Sequence, residues 1–316
     1  MSSSTRKTPA VAVAGSGDIA RYLAEESVRD GQYEFHIITR SERPWFAQVG
    51  IQYHIVERYS KETLAELFDR FQITTVISTI STDDAAAFLS THQAILDACR
   101  QSSTCKRLIP SDFVGNVEHF PDFPRSYSST RHAFRKILAE QPDIEWTSVN
   151  QGWLMDYFVH LPSGSKTYIR PYAAWPLDLK KATCRLPGTG NDLVTWTATR
   201  DVAKAVVQLM KQPKWDRYTY VFGETGTWLE VLPKVEKLLN IKIQRSFAPL
   251  EEIKRVVEDA SDPERQYIAS IDEWAVAGAG LIPFEIASKQ RERFFSEIKF
   301  RTIEELLQEA QHSEIV

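Results

Sequence analysis

The stretch Pro9-Ala-Val-Ala-Val-Ala14-Gly15-Ser16-Gly17-Asp18-Ile19-Ala20 decides the fold. Its first six residues are small and apolar, as a parallel strand covered on both faces requires. Gly15 stops the run. Charged residues with Ile19, Leu23 and Val28 at helical spacing then follow, so residues 18–29 read as a helix. Gly15-x-Gly17-x-x-Ala20 fits the dinucleotide fingerprint G-x-G-x-x-A. The first glycine permits a tight turn, the second lets backbone approach a pyrophosphate, and the small third residue packs helix on strand. The helix N-terminus adds unpaired N–H donors and a partial positive charge. Gly15, Ser16, Gly17, Asp18 and Ile19 are therefore candidate cofactor contacts. Asp18 itself reads as a helix-capping side chain turned away from the phosphates.

Outward from this loop, strand-like and helix-like segments alternate. Residues 35–39, 51–56, 74–80, 107–109 and 145–149 read as further strands. Residues 60–71, 88–99 and 125–140 read as helices between them. Such βαβ repetition with short links demands right-handed crossovers and a parallel sheet, so the fold class is α/β, a doubly wound Rossmann-type sheet. After Gly152 the alternation weakens into a stretch rich in Trp, Tyr, Pro and Gly. The expected organisation is a cofactor-binding domain over 1–152 and a smaller substrate lobe over 153–316. Helices are expected in the lobe at 200–210, 228–239, 250–258, 271–277 and 303–310.

The end of the second strand speaks to cofactor choice. Sites for NAD place Asp or Glu there, to hold the ribose hydroxyls. Here the chain reads Ile37-Ile38-Thr39-Arg40-Ser41. Arg40 suits a 2′-phosphate, with Thr39 or Ser41 adding a hydroxyl and Arg43 near enough to contribute. NADP(H) is the expected cofactor.

Bulk composition excludes several classes. The 316 residues carry 38 basic and 42 acidic side chains, a formal net charge of -4, which offers no footprint for nucleic acid or an acidic membrane. No apolar run has the length of a membrane span, and the polar start, residues 1–9, lacks the apolar segment of a signal peptide. A cytoplasmic location is expected. Cys99, Cys105 and Cys184 form no C-x-x-C pair, and the seven histidines show no ligand spacing, so no metal site is expected.

With these residues in view, the sequence resembles the NmrA-like and isoflavone-reductase-like families, atypical short-chain dehydrogenases, and is most similar to fungal NmrA-like oxidoreductases. The resemblance runs over nearly the whole chain. It rests on the glycine loop, Thr39-Arg40, Val76-Ile-Ser-Thr-Ile80, Lys106-Arg-Leu-Ile-Pro-Ser-Asp-Phe113, Glu145-Trp-Thr-Ser-Val-Asn-Gln-Gly-Trp153, Gly188-x-Gly190 and Thr199-Arg-Asp-Val-Ala203. It implies that Ser78, Thr79 and Ile80 line the cofactor. Pro110 and Ser111 would lie beside the nicotinamide ribose, and residues 150–156 would form a pocket floor. Phe113, Gln151, Trp153, Met155 and Tyr157 are the candidate substrate contacts. Two departures stand out. The families' G-x-x-G-x-x-G loop is Ala14, Gly17 and Ala20 here, and the Lys that contacts the nicotinamide ribose and moves a proton aligns with Arg131. Arg keeps the charge but is a poor proton shuttle.

Tyr127-Ser-Ser-Thr-Arg131 has the Y-x-x-x-K spacing with Arg for Lys. On an α-helix, i and i+4 share a face, and a nearby cation favours the tyrosinate. Ser111, Tyr127 and Arg131 form the candidate catalytic set, and Tyr127 with Arg131 reads equally as a surface pair. Trp153 suits a pocket wall or the core, Trp146 the core, Asp156 a cap or ion pair, and Asp201 a helix start. The run 289–293 reads as a solvated helix face. The leading expectation is an NADPH-dependent reductase of a small aromatic or polyketide-like substrate, in secondary metabolism. Its rivals are a catalytically silent NADP(H) sensor acting on a protein partner and a redox-neutral isomerase or cyclase. Oligomeric state is left open.

Overall fold

The computed structural model describes residues 8–82 and 84–316. They form two compact units. The first comprises Met1–Ser111, Ala133–Ser148 and Val206–Arg217, and the second Asp112–His132, Val149–Ala205 and Tyr218–Val316. A single cut after Gly152 therefore gives way to a chain that passes between the units several times.

The first unit is built on β1 (Ala10–Ala14), β2 (Glu34–Thr39), β3 (Gln52–Ile55), β4 (Ile73–Ser78), β5 (Arg107–Ile109) and β6 (Glu145–Trp146). They lie in the order β3-β2-β1-β4-β5-β6, every neighbouring pair parallel. The order reverses between β1 and β4, and at such a switch point doubly wound sheets bind ligands beyond their carboxyl ends. All five residues of β1 are buried, which accounts for its unbroken apolar run. Helices α1 (Asp18–Asp30), α3 (Lys61–Phe71) and α4 (Ala85–Gln101) follow β1, β3 and β4, and a short α2 (Trp45–Val49) that sequence periodicity did not suggest follows β2. Ser60 and Asp84 cap α3 and α4 by accepting from the Thr63 and Ala87 amides, each cap stabilising by about 1 kcal/mol. Between α4 and β5, the Cys99 and Cys105 thiols meet at 3.6 Å, both fully buried.

The expected helix over 125–140 is three pieces. A 3₁₀ turn at Arg125–Tyr127 runs into a π turn at Ser128–His132, and only Ala133–Glu140 is α-helical. Arg125 anchors the start with a fork onto Glu273, at 2.6 and 2.8 Å, and a 2.8 Å bond to Glu258. The side chains of Ser128 and His132 both reach Asp122.

The second unit holds two three-stranded sheets. One joins Leu177–Asp178, Thr183–Pro187 and Gln244–Ala248, and the other Glu224–Gly226, Val194–Thr197 and Trp153–Leu154. Helices Trp228–Leu239, Leu250–Glu258 and Ile303–Ala310 fall where the periodicity predicts. The segment expected at 271–277 is the end of a longer helix, Pro263–Val276. Helix Phe284–Phe294 contains the charged run, and its face is not wholly solvated. Gln290 is buried against the backbone of Tyr218 and Tyr220, and the Arg291 guanidinium lies over the rings of Phe222 and Phe300. Among the described residues no helix is long and apolar enough to cross a membrane.

Candidate functional site

The carboxyl ends of β1, β2 and β4 are laced together in the first unit. Gly15 has φ +112, and its N–H donates to Ile38 O at 2.9 Å. A Cβ there would stand 2.5 Å from Thr79 Oγ1, so the position accepts glycine alone without strain. The Thr79 amide returns a 2.9 Å bond to Ala14 O. Gly17 differs: a Cβ would meet nothing within 4 Å, so the fold leaves open space above this backbone. That is the cradle a pyrophosphate needs. Gly17, not Asp18, is the N-cap of α1, and Asp18 is its first helical residue. Asp18 thus adds a charge to the first turn and does not hold the cap position.

A relay of side chains crosses from the loop to the end of β2. Arg43 Nε donates to Ser16 Oγ at 3.2 Å, Ser16 and Thr39 hydroxyls meet at 2.8 Å, and Thr39 Oγ1 donates to Ser41 O at 3.1 Å. Because a carbonyl only accepts, the Thr39 proton goes to Ser41, and Ser16 is the donor to Thr39. Arg43, a peripheral candidate in the sequence, is thereby joined to the glycine loop. Arg40 is exposed at the end of β2. The carboxylate nearby in sequence, Glu42, accepts from the Tyr53 hydroxyl at 2.8 Å. Tyr59 bonds Ile38 O at 3.3 Å, and burial pushes its phenol up to about 12.

On β4, Ser78 is fully buried and meets His92 Nε2 at 2.9 Å, while His92 Nδ1 reaches Phe88 O at 2.9 Å. The Phe88 carbonyl requires the proton on Nδ1, so Nε2 accepts from the Ser78 hydroxyl. His92 escaped the sequence reading. Its only signal was a histidine on the apolar face of α4, beside Phe88, Ile95 and Leu96. Thr79 and Ile80 continue from Ser78 along the same edge, and Pro110 and Ser111 follow the end of β5. Ser111 is buried and belongs to the first unit.

Tyr127 and Arg131 belong to the second unit. The Arg131 guanidinium carbon sits 3.7 Å from the centroid of the Tyr127 ring. The π turn brings the pair together by stacking cation on ring face, where the helical reading aimed both heads at one point.

Phe113 has φ +43, an unfavourable conformation for a bulky residue. Its carbonyl accepts from Gln151 Nε2 at 2.6 Å, and Gln151 N donates to Val114 O at 2.8 Å. Met155 and Phe158 are fully buried in the second unit's core. Trp153 is buried in that core too, with Trp175 and Trp274 edge-on to its ring, while Tyr157 is half-buried beside it and lines a cavity. Trp146 lies in the first unit's core. Asp156, 1% exposed, accepts from Thr167 Oγ1 at 2.8 Å and from both Thr199 N and Oγ1 at 2.7 Å, so it caps the helix Thr199–Met210. Asp201 in the first turn of that helix binds Arg301.

Residues 7–307 match the model of the NmrA-like family. The chain belongs to that family. Within it, the chain aligns with oxidoreductases over nearly its full length. It is 35% identical to the oxidoreductase swnR of Arthroderma benhamiae, across 93% of this chain and 95% of that protein. Against the swnR protein of Metarhizium robertsii it is 32% identical, across 93% and 94%. Among solved structures it superimposes on leucoanthocyanidin reductase from Vitis vinifera with TM-score 0.75 at 18% identity, covering 95% of this chain and 98% of that one. A likeness at that identity establishes the Rossmann-type fold. The same reductase has also been solved as a binary complex with NADPH.

Proposed function

We propose that this NmrA-like protein is an NADPH-dependent reductase of a small aromatic or polyketide-like substrate, serving secondary metabolism in the cytoplasm. The observation that carries the reading is the Arg43–Ser16–Thr39 relay at the glycine loop. It sets a guanidinium beside the pyrophosphate cradle, with Arg40 at the end of β2 and no carboxylate in its place. Two guanidiniums and a hydroxyl suit a 2′-phosphate. NADPH would supply a hydride to the substrate. The chain's own residues hold the cofactor: Gly15 shapes the turn, Gly17 leaves the backbone exposed, and His92 fixes the Ser78 rotamer. A fungal oxidoreductase of similar sequence and a plant reductase of similar fold support this reading.

The test titrates the protein with NADPH and NADH, then offers quinones, enones and aromatic ketones while following nicotinamide absorbance. Preference for NADPH with turnover on any member supports the reading, and NADH preference overturns it. One observation favours a second reading, an NADP(H) sensor without turnover that signals to a protein partner. Arg131 lies on the Tyr127 ring face, where its charge is spent on the π system. Tight NADPH binding with no turnover, and unaltered function in Tyr127→Phe, would select the sensor.

A further inference from the structure

Cys99 and Cys105 are nucleophiles that the proposed reduction leaves unused. Cys99 lies in the last turn of α4, and Cys105 stands just before β5. The loop between them is tightly bonded. Ser102 Oγ accepts from the Thr104 and Cys105 amides at 3.1 and 3.0 Å and donates to Asp69 at 2.6 Å. Thr104 Oγ1 reaches the Phe68 and Ile73 carbonyls at 3.1 and 2.9 Å. The Lys106 ammonium closes the end of α4, donating to Cys99 O at 3.2 Å and Arg100 O at 3.3 Å.

The protons on the two sulfurs can be placed. Cys105 Sγ reaches Arg107 O at 3.9 Å, and a carbonyl only accepts, so the Cys105 thiol donates there. Cys99 then donates to Cys105 across their 3.6 Å contact. Burial pushes the Cys99 thiol well above its ordinary value, and its bond to Cys105 pushes it further, with Lys106 opposing both. Cys99 therefore keeps its proton, and an S–H aimed at Cys105 stabilises negative charge on that sulfur. This makes Cys105 the nucleophile of the pair. Both sulfurs are fully covered, so a reagent reaches them when the loop opens. Gln101, Ser103 and Lys106 are exposed, and a surface loop opens at far less cost than the sheet beneath it.

We propose that Cys99 and Cys105 are a modification site, a dithiol that a hydroperoxide closes to a disulfide between the end of α4 and the approach to β5. In the first step the Cys105 sulfur bonds the terminal peroxide oxygen and the O–O bond breaks. The alcohol leaves with the Cys105 proton, and Cys105 is left as the sulfenic acid. In the second step the Cys99 sulfur bonds the Cys105 sulfur, the S–O bond breaks, and hydroxide leaves with the Cys99 proton as water. Two thiols lose two electrons, and the peroxide gains them. The sulfurs must close from 3.6 Å to about 2.05 Å, an approach taken up by the two side-chain rotamers and the loop. The site is independent of the reductase reading, since no nicotinamide takes part and both cysteines lie in the first unit's core.

The test exposes the reduced, folded full chain to hydrogen peroxide, removes the peroxide with catalase, and alkylates under denaturing conditions before mass spectrometry. Alkylation should fall from three cysteines to Cys184 alone. Trypsin cuts after Arg100, between the two cysteines, so the disulfide should hold peptide 71–100 to peptide 101–106 until a thiol reductant frees them. Two variants test the assigned roles. Cys99→Ser should let dimedone trap the sulfenic acid at Cys105, and Cys105→Ser should leave Cys99 unoxidised at the same exposure. Full alkylation of all three cysteines after peroxide, a linkage to Cys184 or to a second chain, or linkage only in urea-unfolded protein overturns the proposal. Dimedone trapping at Cys99 in Cys105→Ser, equal to that at Cys105 in Cys99→Ser, overturns the assignment of the nucleophile. Loss of NADPH turnover with the linkage still forming would strike the reductase reading alone.

Discussion

The glycine-loop edge of the first unit and the aromatic interior of the second solve opposite problems. At the loop, the polar side chains are tied to named partners: Ser16 to Thr39 and Arg43, Ser78 to His92, Thr79 to the β1 backbone. In the second unit, Trp153, Trp175, Trp196 and Trp228 each bury an indole N–H with no partner among the described residues. There, stability comes from ring area and edge-to-face contacts, such as Trp196 on Trp228 at 5.5 Å. The first region holds a shape through directed bonds. The second tolerates unmet donors because its apolar burial outweighs them.

The largest effect expected from breaking this contrast is at Gly15. Ala at φ +112 is strained and drives its Cβ into Thr79 Oγ1, so Gly15→Ala should lose about 2–4 kcal/mol of stability and most NADPH affinity. Gly17→Ala is the matched control, since space surrounds that Cβ. Its melting temperature should barely move while NADPH binding weakens. Equal thermal losses in the two variants would mean that the loop is no more directed than its surroundings.

The second unit has directed sites too, and the buried carboxylate of Asp156 tests one of them. Asp156→Ala strands three donors, Thr167 Oγ1, Thr199 N and Thr199 Oγ1, and uncaps a helix. Denaturant unfolding should show a loss of about 2–3 kcal/mol. A loss below 1 kcal/mol would place the second unit's stability in its rings alone.

Cofactor choice comes next in size. Arg40→Ala and Arg43→Ala should each weaken NADPH binding by about 10–100-fold, as loss of a charge-assisted bond does, and leave NADH binding nearly unchanged. Parallel losses for both nucleotides would remove the 2′-phosphate from the argument.

What was legible in the sequence follows the same division. Gly15 was readable because backbone geometry restricts residue type there, and β1, β5 and helices such as Trp228–Leu239 announced themselves by period. The π turn at Ser128–His132 was not readable, because Tyr127 and Arg131 have the same spacing whether they aim together or stack. Trp153 could be wall or core, since an indole suits both and only the neighbouring rings decide. The run 289–293 reads as a helix face, but its charges hid the burial on it, where Gln290 is buried and Arg291 spreads its guanidinium over two phenyl rings. Side chains that snorkel or stack carry little signal in a hydropathy pattern.

The smallest expected effect concerns pH, and it returns to the first unit. His36 on β2 and His54 on β3 meet at 3.0 Å, their rings stacked and Phe71 tilted against both. Burial lowers His36 and brings His54 down to about 4, where His36 and Arg70 add like-charge repulsion. Between about pH 6.5 and 4 the unfolded chain therefore binds protons that the folded pair refuses. The stabilisation is complete above the unfolded value and is lost as pH falls through the folded one, so stability should drop on acidification across this window. His54 is half-buried, and solvent screening limits its share to about 1 kcal/mol between pH 7 and 5. His54→Phe keeps a ring against Phe71 and removes the titration, so its unfolding free energy should fall less steeply than the wild type's over that range. Parallel slopes would mean that the pair admits protons as readily folded as unfolded, and that this corner of the sheet is looser than its hydrogen bond implies.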